Sequence, residues 1–209
     1  MNKTLTLLGS GGHSKSILSS INVNEYSEVN SITWGEQFIN SELPIEHIHL
    51  KHLSDLRVSE SNEFIIAIGD ISLRSILIAK LTTMHPSISF VNVIAPNAFI
   101  SRGVELGNGV FIGNGAYVGP DCHIGSHVIL NTACIIEHDC SIFDSAVISP
   151  SVVIGGDTVI EDQAFIGIGA TVRDHVRIGK NSIIGAGSLV LNDITPGSLN
   201  YGVPSKLIM

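Results

Sequence analysis

The sequence predicts two units in series: a small α/β domain of Rossmann-like type over residues 1–92 and a parallel β-helix over 93–195, followed by a tail at 196–209. Three observations carry this prediction. The first part alternates apolar runs of strand length with stretches of helical periodicity. From residue 94 the chain repeats every six residues without an insertion. The composition, 44% hydrophobic and 14% charged where roughly 25% charged is usual, supplies the apolar surface for packed cores and excludes a disordered chain.

In the first unit, Thr4 to Leu8 reads as a buried strand, followed by Gly9-Ser10-Gly11-Gly12-His13-Ser14-Lys15 and a helix through Ile21. A second strand spans Val29 to Trp34 and a third Phe64 to Ile68. Asp70 follows as N-cap of a helix whose apolar positions include Leu73, Ile76, Leu77, Leu81 and Met84. Phe90 to Val93 leads into the first coil. Alternating strands and helices imply a parallel sheet with the glycine loop at the carboxyl end of strand one, where backbone N–H groups suit a phosphate. A tight structural turn accounts for that loop equally well. Its glycines lack the G-x-G-x-x-G spacing, because position 14 is Ser, and strand two ends at Trp34-Gly35 with Glu36 the nearest carboxylate. Both features disfavour NAD.

In the second unit, position one of every hexad from Ile94 to Val190 is Ile, Val or Leu, and position five is small from Ala98 to Ser188. This pattern resembles the hexapeptide repeat of left-handed parallel β-helices, in which three hexads form one triangular coil. Positions five and one point into the prism and position six points out, with coils about 4.8 Å apart. Cys122, Cys134 and Cys140 fall at position five, so small buried packing is their expected role. Read every eighteen residues, position six gives one column of Phe111, Ile129, Val147, Phe165 and Ile183, and a second of Phe99, Tyr117, Ile135, Val153, Thr171 and Leu189. Both are apolar. The third column, from Glu105 through His123 and Ser141 to Arg177, is largely polar. Two long apolar stripes need cover, and a homotrimer provides it by threefold closure.

Eleven basic against nineteen acidic residues give a formal charge of −8, without a basic cluster. Nucleic acid and anionic membranes are therefore not expected partners. No apolar run reaches transmembrane length, no signal peptide is read at the N-terminus, and three Cys do not build a disulfide framework; a cytoplasmic setting is expected. No H-x4-H pair occurs in the coils, so no metal is expected.

Gly11-Gly12-His13-Ser14-Lys15, the α/β unit, the uninterrupted β-helix with Glu137-His138-Asp139, and the ending Gly202-Val203-Pro204-Ser205-Lys206 together resemble the sialic-acid O-acetyltransferase-like family. That family includes bacterial N-acetyltransferases of nucleotide-linked 4-amino-sugars. The resemblance implies a homotrimer using acetyl-CoA, with active sites between subunits and the nucleotide held by the N-terminal domain. It implies His138 as general base, because an attacking amine or hydroxyl must lose a proton and imidazole titrates near working pH. Asp139 matches the acidic residue that orients this base, with Glu137 a rival. Gly11, Gly12, His13 and Gly69 match the nucleotide-sugar contacts. Val147, Ile168 and Ala186 match the acetyl-CoA contacts, Val147 standing where many members carry a second His. The other departure is Trp34-Gly35-Glu36, where many members end strand two in acidic residues. His123, His127 and His175 are expected to be solvated. The activity expected is N-acetylation of a nucleotide-activated 4-amino-sugar in surface glycan synthesis. O-acetylation of sialic acid or a related sugar, and a non-catalytic trimeric scaffold, are the alternatives.

Overall fold

The computed structural model describes residues 3–22, 25–35 and 44–208. Met1 and Glu36 lie outside them. The chain divides into two compact units, Met1–Val93 and Ile94–Met209.

In the first unit, β1 (Thr4–Leu8) is followed by α1 (Gly12–Leu18), β2 (Glu28–Trp34), β3 (Glu46–Leu50), β4 (Asn62–Ile66) and α2 (Ile71–Met84). All four strands are parallel, in the order β3-β2-β1-β4. The order reverses between β1 and β4, which opens a crevice at their carboxyl ends. Strand β3 is not among the elements the sequence predicts. Its alternation Glu46-His47-Ile48-His49-Leu50 is that of an edge strand: Ile48 and Leu50 join the core with Leu8, Ile32 and Phe64, while His47 and His49 face the other way and bond the Ser31 and Thr33 hydroxyls at 2.8 and 3.0 Å.

Helix α2 starts where expected, with Asp70 Oδ1 accepting from the Leu73 N–H at 2.8 Å. Its buried face is corrected. Leu77 and Leu81 enter the core, but the third buried residue is Arg74, whereas Leu73 and Ile76 are 60% and 53% exposed and Met84 is exposed too. Apolar residues occupy both sides of this helix, so hydrophobicity alone does not identify which side meets the sheet.

The second unit is a parallel β-helix in which each two-residue strand pairs with the strand eighteen residues later, as His123 with Ser141 and Ile124 with Ile142. Its three faces are sheets of five, eight and six strands. Positions one and five fill the prism as one continuous core running from Val110 to Ile194. The strands are short because every hexad turns a corner, and position four takes the left-handed conformation there. Asp121, His127, Ala133, Asp139 and their non-glycine equivalents have φ of +53 to +59°, and the glycines at this position, from Gly103 to Gly187, have φ of +65 to +78°. Leu199–Tyr201 and Lys206–Leu207 form an antiparallel pair at the end of the eight-stranded face, so the tail covers an edge that would otherwise stay open.

The two apolar outward columns differ from expectation. Phe111, Ile129 and Val147 are already buried within the single chain, whereas Phe165 is half-buried and Ile183 is 47% exposed at the far end of the same column, so only the first part of that column is covered without a second copy. The six-stranded face keeps its apolar column accessible: Phe99 is exposed and stacks on Tyr117 with ring centroids 5.6 Å apart, and Ile135, Val153 and Leu189 are half-buried.

Candidate active site

His138 follows the strand Ile135–Ile136 at the third position of its hexad, and Asp139 is the left-handed residue of the same corner, with φ of 58°. This turn brings Asp139 Oδ2 to 2.7 Å from His138 Nδ1. With Nδ1–H donating to the carboxylate, Nε2 is the basic nitrogen, fixed in tautomer and orientation. The Asp139 hydrogen bond and then its charge raise the His138 pKa above the ordinary imidazole value, with a smaller contribution from Glu137. Asp139 and not Glu137 therefore holds the ring. Both members of the pair are 59% exposed.

One coil further on, the ring lies against Gly156. A Cβ at Gly156 would fall 2.7 Å from both Cε1 and Nε2 of His138. Any side chain there would displace the imidazole, so Gly156 belongs to the candidate site although sequence reasoning does not single it out. A signal exists: Gly155-Gly156 is the one glycine pair at positions two and three of a hexad, and Gly156 stands eighteen residues after His138.

His175 provides an internal comparison. Its Nδ1 also lies 2.7 Å from a carboxylate oxygen, that of Asp157, and it is just as exposed. Its Nε2, however, faces Asp174 Oδ2 at 3.7 Å. The His–Asp contact alone thus does not distinguish the two; the uncommitted second nitrogen of His138 over open backbone does. His123 approaches Glu105 at 3.4 Å in the polar column. The three thiols are buried and form no disulfide, and burial pushes Cys134 up to about 12, which removes it as a nucleophile at neutral pH.

Ile168 and Ala186 occupy equivalent corners of successive coils, joined by the Gly187 N–H to Ile168 carbonyl bond at 2.8 Å. Both are exposed, and Gly169 and Gly187 beside them leave open space where a side chain would be. This corner leads into the six-stranded face at Thr171–Val172, and the His138 corner leaves that face after Ile135–Ile136. The two corners are therefore the two edges of the accessible apolar face. Val147 lies on a different face, paired with Ile129 and Phe165 and 4% exposed, so its side chain presents almost no surface to a ligand.

In the first unit, Gly9, Gly11, Gly12, His13, Ala67, Ile68 and Gly69 line a cavity of about 370 Å³ between the β1–α1 and β4–α2 loops. Gly9 is a structural requirement, since its φ is 121° and a Cβ would meet the Ala67 carbonyl at 3.0 Å. Gly11, Gly12 and Gly69 have open space in the Cβ direction. Their lack of side chains leaves room in the cleft, which a structural turn alone does not need. Burial, with the Arg74 guanidinium as a second cause, pushes His13 down to about 4, while burial lowers Arg74 itself to about 10. At neutral pH His13 is an uncharged hydrogen-bonding group in front of a buried cation. Arg74 is not legible in the sequence, because its place on the buried row with Leu77 and Leu81 is visible only once α2 is oriented against the sheet.

Among the described residues no group of three His, Cys, Asp or Glu could hold a metal ion, and no helix is long and apolar enough to cross a membrane.

The PglD N-terminal domain pattern matches residues 4–81, the bacterial transferase hexapeptide pattern residues 157–192, and the hexapeptide repeat of succinyl-transferase residues 96–120. No curated protein matches the chain. Among solved structures, the acetyltransferase domain of PglB from Neisseria gonorrhoeae is 26% identical, with a TM-score of 0.91, over 99% of this chain and 100% of that one. PerB from Caulobacter crescentus, solved with CoA and GDP-perosamine, is 30% identical over 99% of this chain and 97% of that one, with a TM-score of 0.87. A perosamine N-acetyltransferase variant from the same organism, also with CoA and GDP-perosamine, gives 29% identity and a TM-score of 0.88 over 99% of this chain and 97% of that one. On full-length agreement with such enzymes, the chain belongs to the hexapeptide-repeat acetyltransferases that carry a PglD-type N-terminal domain ahead of the β-helix.

Proposed function

We propose that the protein transfers the acetyl group of acetyl-CoA to the amino group of a nucleotide-linked 4-amino-sugar, for bacterial surface glycan synthesis in the cytoplasm. The observation that carries this reading is the His138–Asp139 pair with Nε2 uncommitted over Gly156. His138 Nε2 takes the proton of the attacking amine as its nitrogen bonds to the thioester carbon, and returns it to the sulfur as the C–S bond breaks. Asp139 keeps Nδ1 protonated throughout. Backbone N–H groups at the His138 corner are the donors available to the thioester oxygen.

The residues fit acetyl-CoA along the Ile168–Ala186 edge, where glycines leave the backbone open to close approach. Gly11, Gly12, His13 and Gly69 hold the nucleotide-sugar in the cleft of the first unit. A homotrimer is part of the proposal: the six-stranded face keeps an apolar column accessible along its length, and both its edges carry site residues, so a neighbouring copy that covers it also completes the site. Val147 is read as packing beside the site rather than as an acetyl contact.

The test is thiol release from acetyl-CoA with nucleotide-linked 4-amino-sugars and, separately, sialic acid as acceptors. Turnover with the former is expected. Turnover only with sialic acid favours O-acetylation, and none with either favours a scaffold. His138→Ala lowers turnover about a hundredfold or more with folding intact, whereas His175→Ala leaves it unchanged.

A further inference from the structure

The corner that carries His138 is closed differently from the corner that carries Ile168 and Ala186. At the latter each turn is tied by its own backbone, the N–H at position five donating to the carbonyl at position two: Ala116 to Gly113 at 3.2 Å, Cys134 to Asn131 at 3.2 Å, Ala170 to Gly167 at 3.1 Å. At the His138 corner, among the described residues, three successive position-two carbonyls accept instead from an inward side chain of the coil before. The Cys122 thiol donates to the Glu137 carbonyl at 3.0 Å, the Cys140 thiol to that of Gly155 at 3.2 Å, and the Thr158 hydroxyl to that of Arg173 at 3.2 Å. The same inward column holds Val104 before these three and Val176 after them, both packed in the prism. Filling the prism therefore does not by itself call for a donor here.

Two of the three carbonyls belong to peptides that bear on the imidazole. The Glu137 carbonyl forms the peptide with His138, and the Gly155 carbonyl the peptide with Gly156, against which the ring lies. Both peptides are trans, so a carbonyl drawn into the prism turns its N–H outward. A thiol is a weak donor. A carbonyl turned inward and left unpaired is nevertheless costly, and the same geometry recurs over three coils. The Arg173 carbonyl lies one coil further on, in the peptide with Asp174, so Thr158 makes the same bond without bearing on the peptides at His138.

We propose that Cys122 and Cys140 are positioning residues of the acetyl transfer: their thiols hold the Glu137 and Gly155 carbonyls inward and thereby fix the backbone that carries His138 and the backbone beneath its ring. The proposal rests on the reading of His138 as the base. Both thiols are 1% exposed, so they act through the main chain and not on a substrate. The role separates them from Cys134, which packs at a corner that its own N–H closes.

Threonine and valine are both β-branched and nearly alike in shape, they differ in the hydroxyl, and this column already holds both. Cys122→Val, Cys140→Val and Thr158→Val are compared with Cys122→Thr and Cys140→Thr in melting temperature, kcat and the KM of each substrate. All three valine variants are expected to lower the melting temperature, since each leaves a carbonyl unpaired. Only the two made at cysteine are expected to lower kcat, by about tenfold, with both KM values within about twofold of the parent. Threonine at either cysteine is expected to recover most of that loss. A kcat that falls as far in Thr158→Val, or that is the same with valine and threonine, overturns the proposal, because a purely structural bond would act in that way. Where valine at the cysteines does not fold, Cys140→Ala against Cys140→Thr decides on the same criterion. An active parent protein whose valine variants keep their kcat overturns the positioning role alone, whereas a parent protein that transfers no acetyl group overturns the reading beneath it as well.

Discussion

Both units are built from parallel strands, but they assign roles to residues in opposite ways. In the β-helix every position is one of six, so a side chain is understood by comparison with its equivalents one coil away. His138 stands out against Pro120 and Gly156 at the same corner, and its partner Asp139 sits where the left-handed turn recurs in every hexad. In the α/β unit no position has an equivalent. Arg74 and Leu73 are adjacent on one helix, yet one is buried and the other open, and only the placement of the helix against the sheet separates them. Repetition makes function visible as a departure; a unique fold makes it visible only in space.

The strongest test of this contrast is a pair of neighbouring glycines. A Cβ at Gly155 would meet the Asp174 backbone nitrogen at 2.4 Å, whereas at Gly156 it would meet the imidazole of His138. Backbone cannot retreat, but an exposed side chain can swing away. Gly156→Ala is expected to lose about a hundredfold in kcat, comparable to removing a general base, with a melting temperature near that of the parent. Gly155→Ala is expected to do the reverse, lowering the melting temperature markedly while any folded fraction stays active. Equal effects of the two substitutions on both measurements would show that the ring does not depend on Gly156.

The two apolar columns give the next test. Val147 is buried within one chain, so Val147→Ala removes two buried carbons and costs about 1.5 kcal/mol of stability, read from a denaturant titration, in any assembly state. Val153 is half-buried on the accessible face. Val153→Glu places a charge where the proposed trimer closes and is expected to yield smaller particles by light scattering, with acetyl transfer lost alongside. A Val153→Glu protein that stays trimeric would put the subunit contact on another face.

What is legible in the sequence follows the same division. The coil register, the inward and outward positions and the placing of His138 beside Asp139 at a corner are all readable because a strict period fixes direction. The covering of Phe111, Ile129 and Val147 is not, since an outward register says where a side chain points and not what lies over it. In the first unit, β1, β2, β4 and the Asp70 cap are readable from local pattern. Strand β3 escapes because His47 and His49 interrupt its apolar run, and they are accommodated only by hydroxyls on the neighbouring strand. The buried face of α2 escapes because the helix is apolar on two sides, one for the core and one for the crevice.

A smaller effect is expected in the glycine loop. Gly12 has open space in the Cβ direction, so Gly12→Val should fold normally and intrude on the cleft. The KM for the nucleotide-sugar is expected to rise about tenfold, equivalent to ~1.4 kcal/mol, with the KM for acetyl-CoA unchanged. Gly9→Ala, strained at a φ of 121° and crowded by the Ala67 carbonyl, should instead lower stability. An unchanged acceptor KM in a folded Gly12→Val protein would reduce the loop to a turn.

The mildest substitution addresses the exposed pair itself. Asp139 raises the His138 pKa, and a general base works only when deprotonated, so in the parent protein the carboxylate holds the imidazole in its inactive, protonated form up to a higher pH. Asp139→Asn removes that charge. The acid limb of kcat/KM is therefore expected to move to lower pH, while the plateau at high pH falls several-fold because the ring is less firmly oriented and less basic. The two effects oppose each other on the acid side, so the variant's deficit should be smallest at low pH and largest on the plateau. A plateau loss with no movement of the acid limb would mean that Asp139 orients the ring without setting its protonation. Movement of the limb toward higher pH would contradict the assignment of His138 as the base.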